Sequence, residues 1–191
     1  MLDVKVEDVV VRVAADDPSR IVQGLPTIIL LKEKQGERAM PIFVGLSEGA
    51  SVAARLADKQ FPRPTTADLA VDLLRATGAG IERVAITSIR DNTFYATVFV
   101  NGEQVDARPS DALAVAVRAG VPILIEERLL DDYGLGGLTL VHKIDEEAAK
   151  GGLQIPAGEW KSLSMELVLA QEVMRWTSHP PTTSEPQREE P

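Results

Sequence analysis

Val105-Asp106-Ala107-Arg108-Pro109-Ser110-Asp111-Ala112-Leu113 compresses a strand, a corner and a helix start into nine residues. The apolar run that leads in has strand character. Pro109 has no amide hydrogen and a fixed φ, which suits the first helical position, with Arg108 then as the N-cap. Ala112, Leu113, Ala116 and Val117 follow at helical spacing and form one apolar face. Gly120 is placed to stop the helix, and Val121-Pro122-Ile123-Leu124-Ile125 reads as the next strand. The unit is therefore strand–helix–strand. Two carboxylates, a guanidinium and a hydroxyl crowd its corner, a place where rigid elements hold exposed backbone and chemistry collects.

Upstream of this corner the pattern turns strand-rich. Asn101-Gly102 is a tight-turn signal before Glu103 to Ala107. Ile81 to Ile89 and Phe94 to Val100 read as strands joined at Asp91-Asn92. Thr65-Thr66-Ala67-Asp68 fits a capping box, with Leu69, Leu73 and Leu74 following at helical spacing and Gly78 as the stop. Ser47 is expected to cap a helix that runs to about Lys59. Thr27 to Leu31 and Ala39 to Val44 form a hairpin closed at Gln35-Gly36. At the N-terminus Leu2, Val4 and Val6 alternate with polar residues, then Val9, Val11 and Val13 alternate one residue out of phase. A bulge near Glu7-Asp8, or an edge with both faces covered, accounts for the slip. Arg63-Pro64-Thr65 and Arg108-Pro109-Ser110 each precede a helix, a glycine stop and a strand, an echo too short to establish duplication.

These elements predict an α+β fold: one domain over residues 1–142 with a mixed β-sheet and flanking helices, at least five strands and three helices. Gly134-Leu135-Gly136-Gly137 reads as a flexible link. A C-terminal helical extension is expected over 143–177, carried by the helical periodicity from Trp160 to Trp176. A disordered tail follows at 178–191, where Pro, Ser, Thr and Glu leave nothing to bury.

Composition narrows the function classes. The 191 residues include no cysteine, which excludes disulfides and thiolate metal sites. No apolar run approaches the roughly 20 residues that span a bilayer. The first residues lack the basic and apolar regions of a signal peptide, so a cytoplasmic protein with no membrane attachment is expected. The net charge of −9 argues against a polyanion partner unless cations or well-placed arginines offset it locally. His142 is the last residue of the predicted domain and His179 lies in the tail, so histidine-based acid–base chemistry is not expected. There is no Walker A or G-x-G-x-x-G motif.

The corner residues support two readings. In the functional one, Asp106 and Asp111 supply oxygen ligands to a hard divalent cation, Mg²⁺ or Mn²⁺. Arg108 and Ser110 contact a phosphate, Arg63 is a second phosphate clamp, and Glu48 or Asp68 is a further ligand or general base. In the structural reading, Asp111 at the third helical position favours the helix dipole, and Asp106 pairs with Arg108. Glu48 likewise sits in a first helical turn, and Asp68 completes its capping box. For Asp111 alone the structural reading is the stronger; for the corner as a whole both stand.

Several segments together resemble the bifunctional nuclease domain family. They are Leu25-Pro26 with Ile29-Leu30-Leu31-Lys32-Glu33, Met40-Pro41-Ile42-Phe43-Val44-Gly45 with Glu48-Gly49-Ala50, and Arg63-Pro64-Thr65. They continue with Phe94-Tyr95-Ala96, Asp106-Ala107-Arg108-Pro109-Ser110-Asp111-Ala112, and Ala116 to Ile123. The resemblance covers roughly residues 4 to 130. Gly49 departs from the pattern, where relatives more often carry Ala; the expected result is a looser first helical turn with Glu48 left in place. The C-terminal segment does not resemble the helical-hairpin module that some relatives append. The resemblance implies a small α+β domain that self-associates; many short apolar strands, few aromatics and an exposed N-terminal strand predict a two-fold homodimer. It also implies a nuclease that cleaves DNA and RNA with little sequence preference. The alternative is a non-enzymatic regulatory module that binds an anion or a protein through the same corner.

Overall fold

β1 (Leu2–Ala14) organises the molecule, because its thirteen residues are long enough to take different partners along their length. Residues Val4 to Val10 pair antiparallel with β2 (Thr27–Glu33). On the opposite side, Leu2 to Val4 pair with β7 (Ile123–Ile125), and Val10 to Ala14 pair with β9 (Gly158–Ser162). The computed structural model describes residues 1–17, 21–22, 27–59, 61–91, 93–136, 145–146 and 158–167 of the chain. The register of β1 against β2 shifts between Val6 and Asp8. That bulge is the cause of the phase slip in the sequence: one extra residue returns Val9 to the same core as Val4 and Val6. β1 is not an edge strand, because it has partners on both sides.

The remaining strands are β3 (Arg38–Val44), β4 (Ile81–Arg90), β5 (Thr93–Val100), β6 (Glu103–Ala107) and β8 (Leu135–Gly136). The spatial order is β6-β5-β4-β7-β1-β2-β3-β8, with β9 beside β1. Among the described residues all pairings are antiparallel except β4 with β7, so the sheet is mixed and the fold is α+β, as the sequence predicts. The parallel pair is the product of the strand–helix–strand unit: the chain leaves the outer strand β6, crosses through α3 (Pro109–Ala119) and inserts β7 beside β4.

One face of the sheet carries the helices. Val52 and Ala53 of α1 (Leu46–Leu56) pack with Ala112, Leu113 and Ala116 of α3 over Val9, Ile29, Ile42, Val84, Ile86 and Ile125. α4 (Glu127–Tyr133) adds Leu129 and Leu130 to this core. α2 (Thr66–Ala76) lies outside α1 and α3 and buries Ala67 and Val71. Its leucines Leu69 and Leu73 are 51% and 59% exposed, so the leucine face that the spacing marks as apolar does not meet the core.

Gly49 is buried where α1 crosses β1 and β2. A Cβ there would overlap the Thr27 methyl, with the Thr27 Cβ 3.1 Å and Val9 Cγ1 3.4 Å away. The glycine therefore serves close helix–sheet approach and does not loosen the turn. α1 begins one residue after Gly45, not at Ser47, and ends at Leu56 rather than near Lys59.

Two further expectations change. Leu135 and Gly136, read as part of a flexible link, pair with Ala39 and Arg38 of β3. Trp160 to Ser162, read as the start of a helix, belong to β9, and helix follows only at residues 163–167. β9 has the strand alternation of Glu159, Trp160, Lys161 and Ser162, which the longer helical period from Leu163 onward masks. Arg12, 7% exposed, fixes this segment: its Nη1 donates to the Asp145 carboxylate at 2.9 Å and its guanidinium lies 5.5 Å from the Trp160 ring centre. The Trp160 Nε1 donates to the same carboxylate at 2.8 Å. Residues 168–176 of the expected helix and the tail 178–191 lie outside the described residues.

Candidate functional site

α1, α2 and α3 all begin at one cleft of about 600 Å³. Its wall is built by Ser47 and Glu48 of α1, Thr65 and Thr66 of α2, and Arg108, Ser110 and Asp111 of α3. The three helices share a local plan. Each has an extended N-cap residue, Gly45, Thr65 or Arg108, and each carries an acid three residues later: Glu48, Asp68 or Asp111. An acid at that position answers the positive end of the helix dipole.

The helices differ in how their first amides are satisfied. α2 has a complete capping box: the Thr65 amide donates to Asp68 Oδ2 at 2.7 Å, and the Asp68 amide donates to Thr65 Oγ1 at 3.4 Å. α1 and α3 have no side-chain cap. In α3 Pro109 has no amide hydrogen and the Asp111 amide donates to the Arg108 carbonyl at 3.1 Å, so the Ser110 amide is the first-turn donor that α3 can add to those of α1 at the wall of the cleft.

Arg108 is the cation of this cleft. It is a 68% exposed side chain held by Asp111, with Nε to Oδ2 at 2.6 Å and Nη2 to Oδ1 at 3.0 Å. Its Nη1 lies 3.6 Å from Glu48 Oε1. The hydrogen bonds to Asp111, then the charges of Asp111 and Glu48, raise the Arg108 pKa above its ordinary value, so it is a permanent cation. Ser110, at the second helical position, is 7% exposed and lines the inner wall.

Asp68 has a structural role. Besides the capping box it accepts from Arg118 Nε at 2.5 Å, and Arg118 Nη1 donates to the Ser51 carbonyl of α1 at 3.1 Å. One arginine, 6% exposed in its side chain, thus ties α1, α2 and α3 together. Burial on its own would raise the Asp68 pKa; the Thr65 hydroxyl and amide, with Arg118, outweigh it and hold the carboxyl below its usual range. Arg118 is missed from sequence because it follows the apolar Ala116-Val117 pair at a helix end, where a basic residue is commonplace.

Asp106 stands apart. In the β5–β6 register Ala107 lies opposite Ala96 and Val105 opposite Val98, and Ala96 and Val98 belong to the helix-covered core. Asp106, opposite Thr97, therefore points from the other face of the sheet. The expected pair of Asp106 and Asp111 around one cation is not formed. The residue count between strand and helix conceals this, since a strand reverses its side chains at every step. The expected Asp106–Arg108 ion pair is absent too; Arg108 takes Asp111 and Glu48.

Arg63 also lies outside the cleft. It lines a neighbouring pocket of about 480 Å³ with Arg55, Lys59, Arg75 and Arg118. The two Arg-Pro-[Ser/Thr] corners do converge, because Thr65, Thr66, Arg108 and Ser110 share one wall, but they bring a single arginine to it. Phe61 borders both cavities. Among the described residues no three His, Cys, Asp or Glu side chains stand together as a metal cluster, and no helix is long and apolar enough to cross a membrane.

A family model for the bifunctional nuclease domain matches residues 29–136, more than half of the chain. An uncharacterised protein of Mycobacterium tuberculosis is 42% identical over 122 residues, covering 63% of this chain and 73% of the relative. Proteins named bifunctional nuclease 1 from Oryza sativa subsp. japonica and Arabidopsis thaliana are 28% and 27% identical over 115 and 117 residues. These matches cover 56% and 58% of this chain, but only 35% and 36% of the plant proteins.

Proposed function

The chain belongs to the bifunctional nuclease domain family, and from that premise we propose that it hydrolyses phosphodiester bonds of DNA and RNA in the cleft where α1, α2 and α3 begin. One observation carries the reading: two helix starts without side-chain caps and the Arg108 guanidinium line the same cavity. A phosphate there would accept hydrogen bonds from first-turn amides and from the arginine fork. This local arrangement answers the net charge of −9, because attraction is needed only where the scissile phosphate sits.

Arg108 would turn from Asp111 to the phosphate and stabilise charge as it develops on the non-bridging oxygens. Glu48, 30% exposed and 3.6 Å from Arg108, would accept the proton of the attacking water. Mg²⁺ or Mn²⁺ can bind through one or two carboxylates when substrate oxygens supply further ligands, and Glu48 with Asp111 is the pair this cleft offers. When bound, such a cation would neutralise the phosphate and acidify a coordinated water. Ser110 would shape the inner wall. Asp106 and Asp68 have no place in this chemistry.

The test is cleavage of single-stranded DNA and of RNA by purified protein, with and without EDTA, beside Glu48→Gln and Arg108→Ala. Activity lost in both variants supports the proposal. Tight binding of nucleic acid with no cleavage would favour the binding-module alternative.

A further inference from the structure

The pocket beside the cleft has a composition at odds with the rest of the chain. Five cations, Arg55, Lys59, Arg63, Arg75 and Arg118, line it against three carboxylates, Asp58, Asp68 and Asp72. In a chain of net charge −9 this is a local positive excess. The carboxylates are already assigned: Asp58 to Arg55 at 3.2 Å, Asp72 to Arg75 at 3.7 Å, and Asp68 to Arg118. Arg63 and Lys59 have no carboxylate partner among the described residues. The Lys59 ammonium instead lies 5.6 Å from the centre of the Phe61 ring. Phe61 is 45% exposed and forms the boundary between this pocket and the cleft.

We propose that the pocket holds the strand leading to the cleft, and that the strand is single. Phosphates would lie on Arg63 and Lys59, and an unpaired base would stack on Phe61 as the chain passes from one cavity to the other. This combination of unneutralised cations and an exposed aromatic is the chemistry of single-strand recognition. A duplex keeps its bases stacked inside and could use only the cations. The inference rests on the nuclease reading for the chemistry in the cleft, but its own claim concerns binding.

Anisotropy of a short fluorescein-labelled oligodeoxythymidylate, in EDTA over a series of salt concentrations, tests it. The variants are a Lys59→Gln, Arg63→Gln pair and a separate Phe61→Ala. The side chains at Phe61 and Arg63 are exposed, and equal melting temperatures confirm that the folds are intact. The charge variant should bind about tenfold more weakly, and the slope of log affinity against log salt should flatten by about 0.7 for each phosphate that the protein no longer neutralises. Phe61→Ala should weaken binding about fivefold or more with its salt slope unchanged. A duplex of the same length should bind the wild type more weakly and be indifferent to Phe61→Ala. Wild-type affinity in either variant, or a wild type that binds no oligonucleotide, overturns the proposal. Cleavage assays on the same proteins separate the two claims. Binding that depends on the pocket without any cleavage defeats only the nuclease reading; cleavage with binding unaffected by the variants defeats only the pocket.

Discussion

Arg108 and Asp111 close on each other across the first turn of α3, with Nε and Nη2 of the arginine on the two carboxylate oxygens at 2.6 and 3.0 Å. The geometry is bidentate and the pair is exposed, so it contributes little to stability. Its consequence lies in the cleft: the guanidinium is oriented but not buried. Asp111→Asn should change the melting temperature by no more than about 2–4 °C, since exposed ion pairs contribute little to stability. A large fall in the melting temperature, measured by circular dichroism, would show that the pair is structural.

The Asp68–Arg118 pair should behave in the opposite way. Arg118→Met removes the link among three helices and leaves Asp68 without its charge partner, at a cost of about 2–3 kcal/mol. Asp68→Asn weakens the capping box and leaves the buried Arg118 guanidinium without its charge partner, at a similar cost of about 2–3 kcal/mol. The pH dependence has a definite sign. The folded-state pKa of Asp68 lies below its unfolded value, so the stabilisation is complete above the unfolded pKa of about 4 and is lost as pH falls through the folded value. The stability difference between wild type and Asp68→Asn should therefore be flat from pH 5 to 7 and shrink below pH 4. Denaturant titrations across that range would detect a difference that grows on acidification, which would contradict the assignment.

Gly49→Ala provides a test of packing. In an exposed helix interior the substitution stabilises by roughly 0.5–1 kcal/mol. Here the new methyl meets Thr27, which is 2% exposed and confined by β-branching in a strand. The expected result is destabilisation of about 1–3 kcal/mol. A more stable Gly49→Ala protein would show that α1 can move off the sheet at little cost.

The sequence discloses those parts of the fold that local rules govern. The strand–helix–strand unit through Pro109 and Gly120, the capping box at Thr65 and Asp68, and the β1 bulge all follow from turn chemistry and periodicity. What it conceals depends on partners distant in the chain. β9 pairs with β1 across more than 140 residues, so no nearby signal marks it as a strand. Leu69 and Leu73 have the spacing of a core face, yet α2 is an outer helix. The site shows the same division. Arg108, Ser110, Asp111 and Glu48 reach one cleft because three helix starts converge on it. Asp106 is lost to the opposite face by strand alternation, and Arg63 by the turn of a loop.

The exposed Leu69 and Leu73 lie one helical turn apart on α2 and form an apolar face of the kind a second copy of the chain could cover. A two-fold homodimer is the expected assembly. Light scattering at micromolar concentration should give twice the chain mass, and a Leu69→Glu, Leu73→Glu protein should give the monomer mass with its fold retained. A wild type that scatters as a monomer would contradict this expectation.

The most direct test of the cleft as a nuclease site compares four variants on one single-stranded substrate: Glu48→Gln, Arg108→Ala, Asp111→Asn and Asp106→Ala. Glu48→Gln and Arg108→Ala should each lower the cleavage rate by about 10²-fold or more. Asp111→Asn should lower it by a smaller factor, and Asp106→Ala should cleave within about twofold of wild type, because its carboxylate faces away from the cleft. Loss of activity in Asp106→Ala, with full activity retained in Glu48→Gln and Arg108→Ala, would place the chemistry on the other face of the sheet and contradict the account.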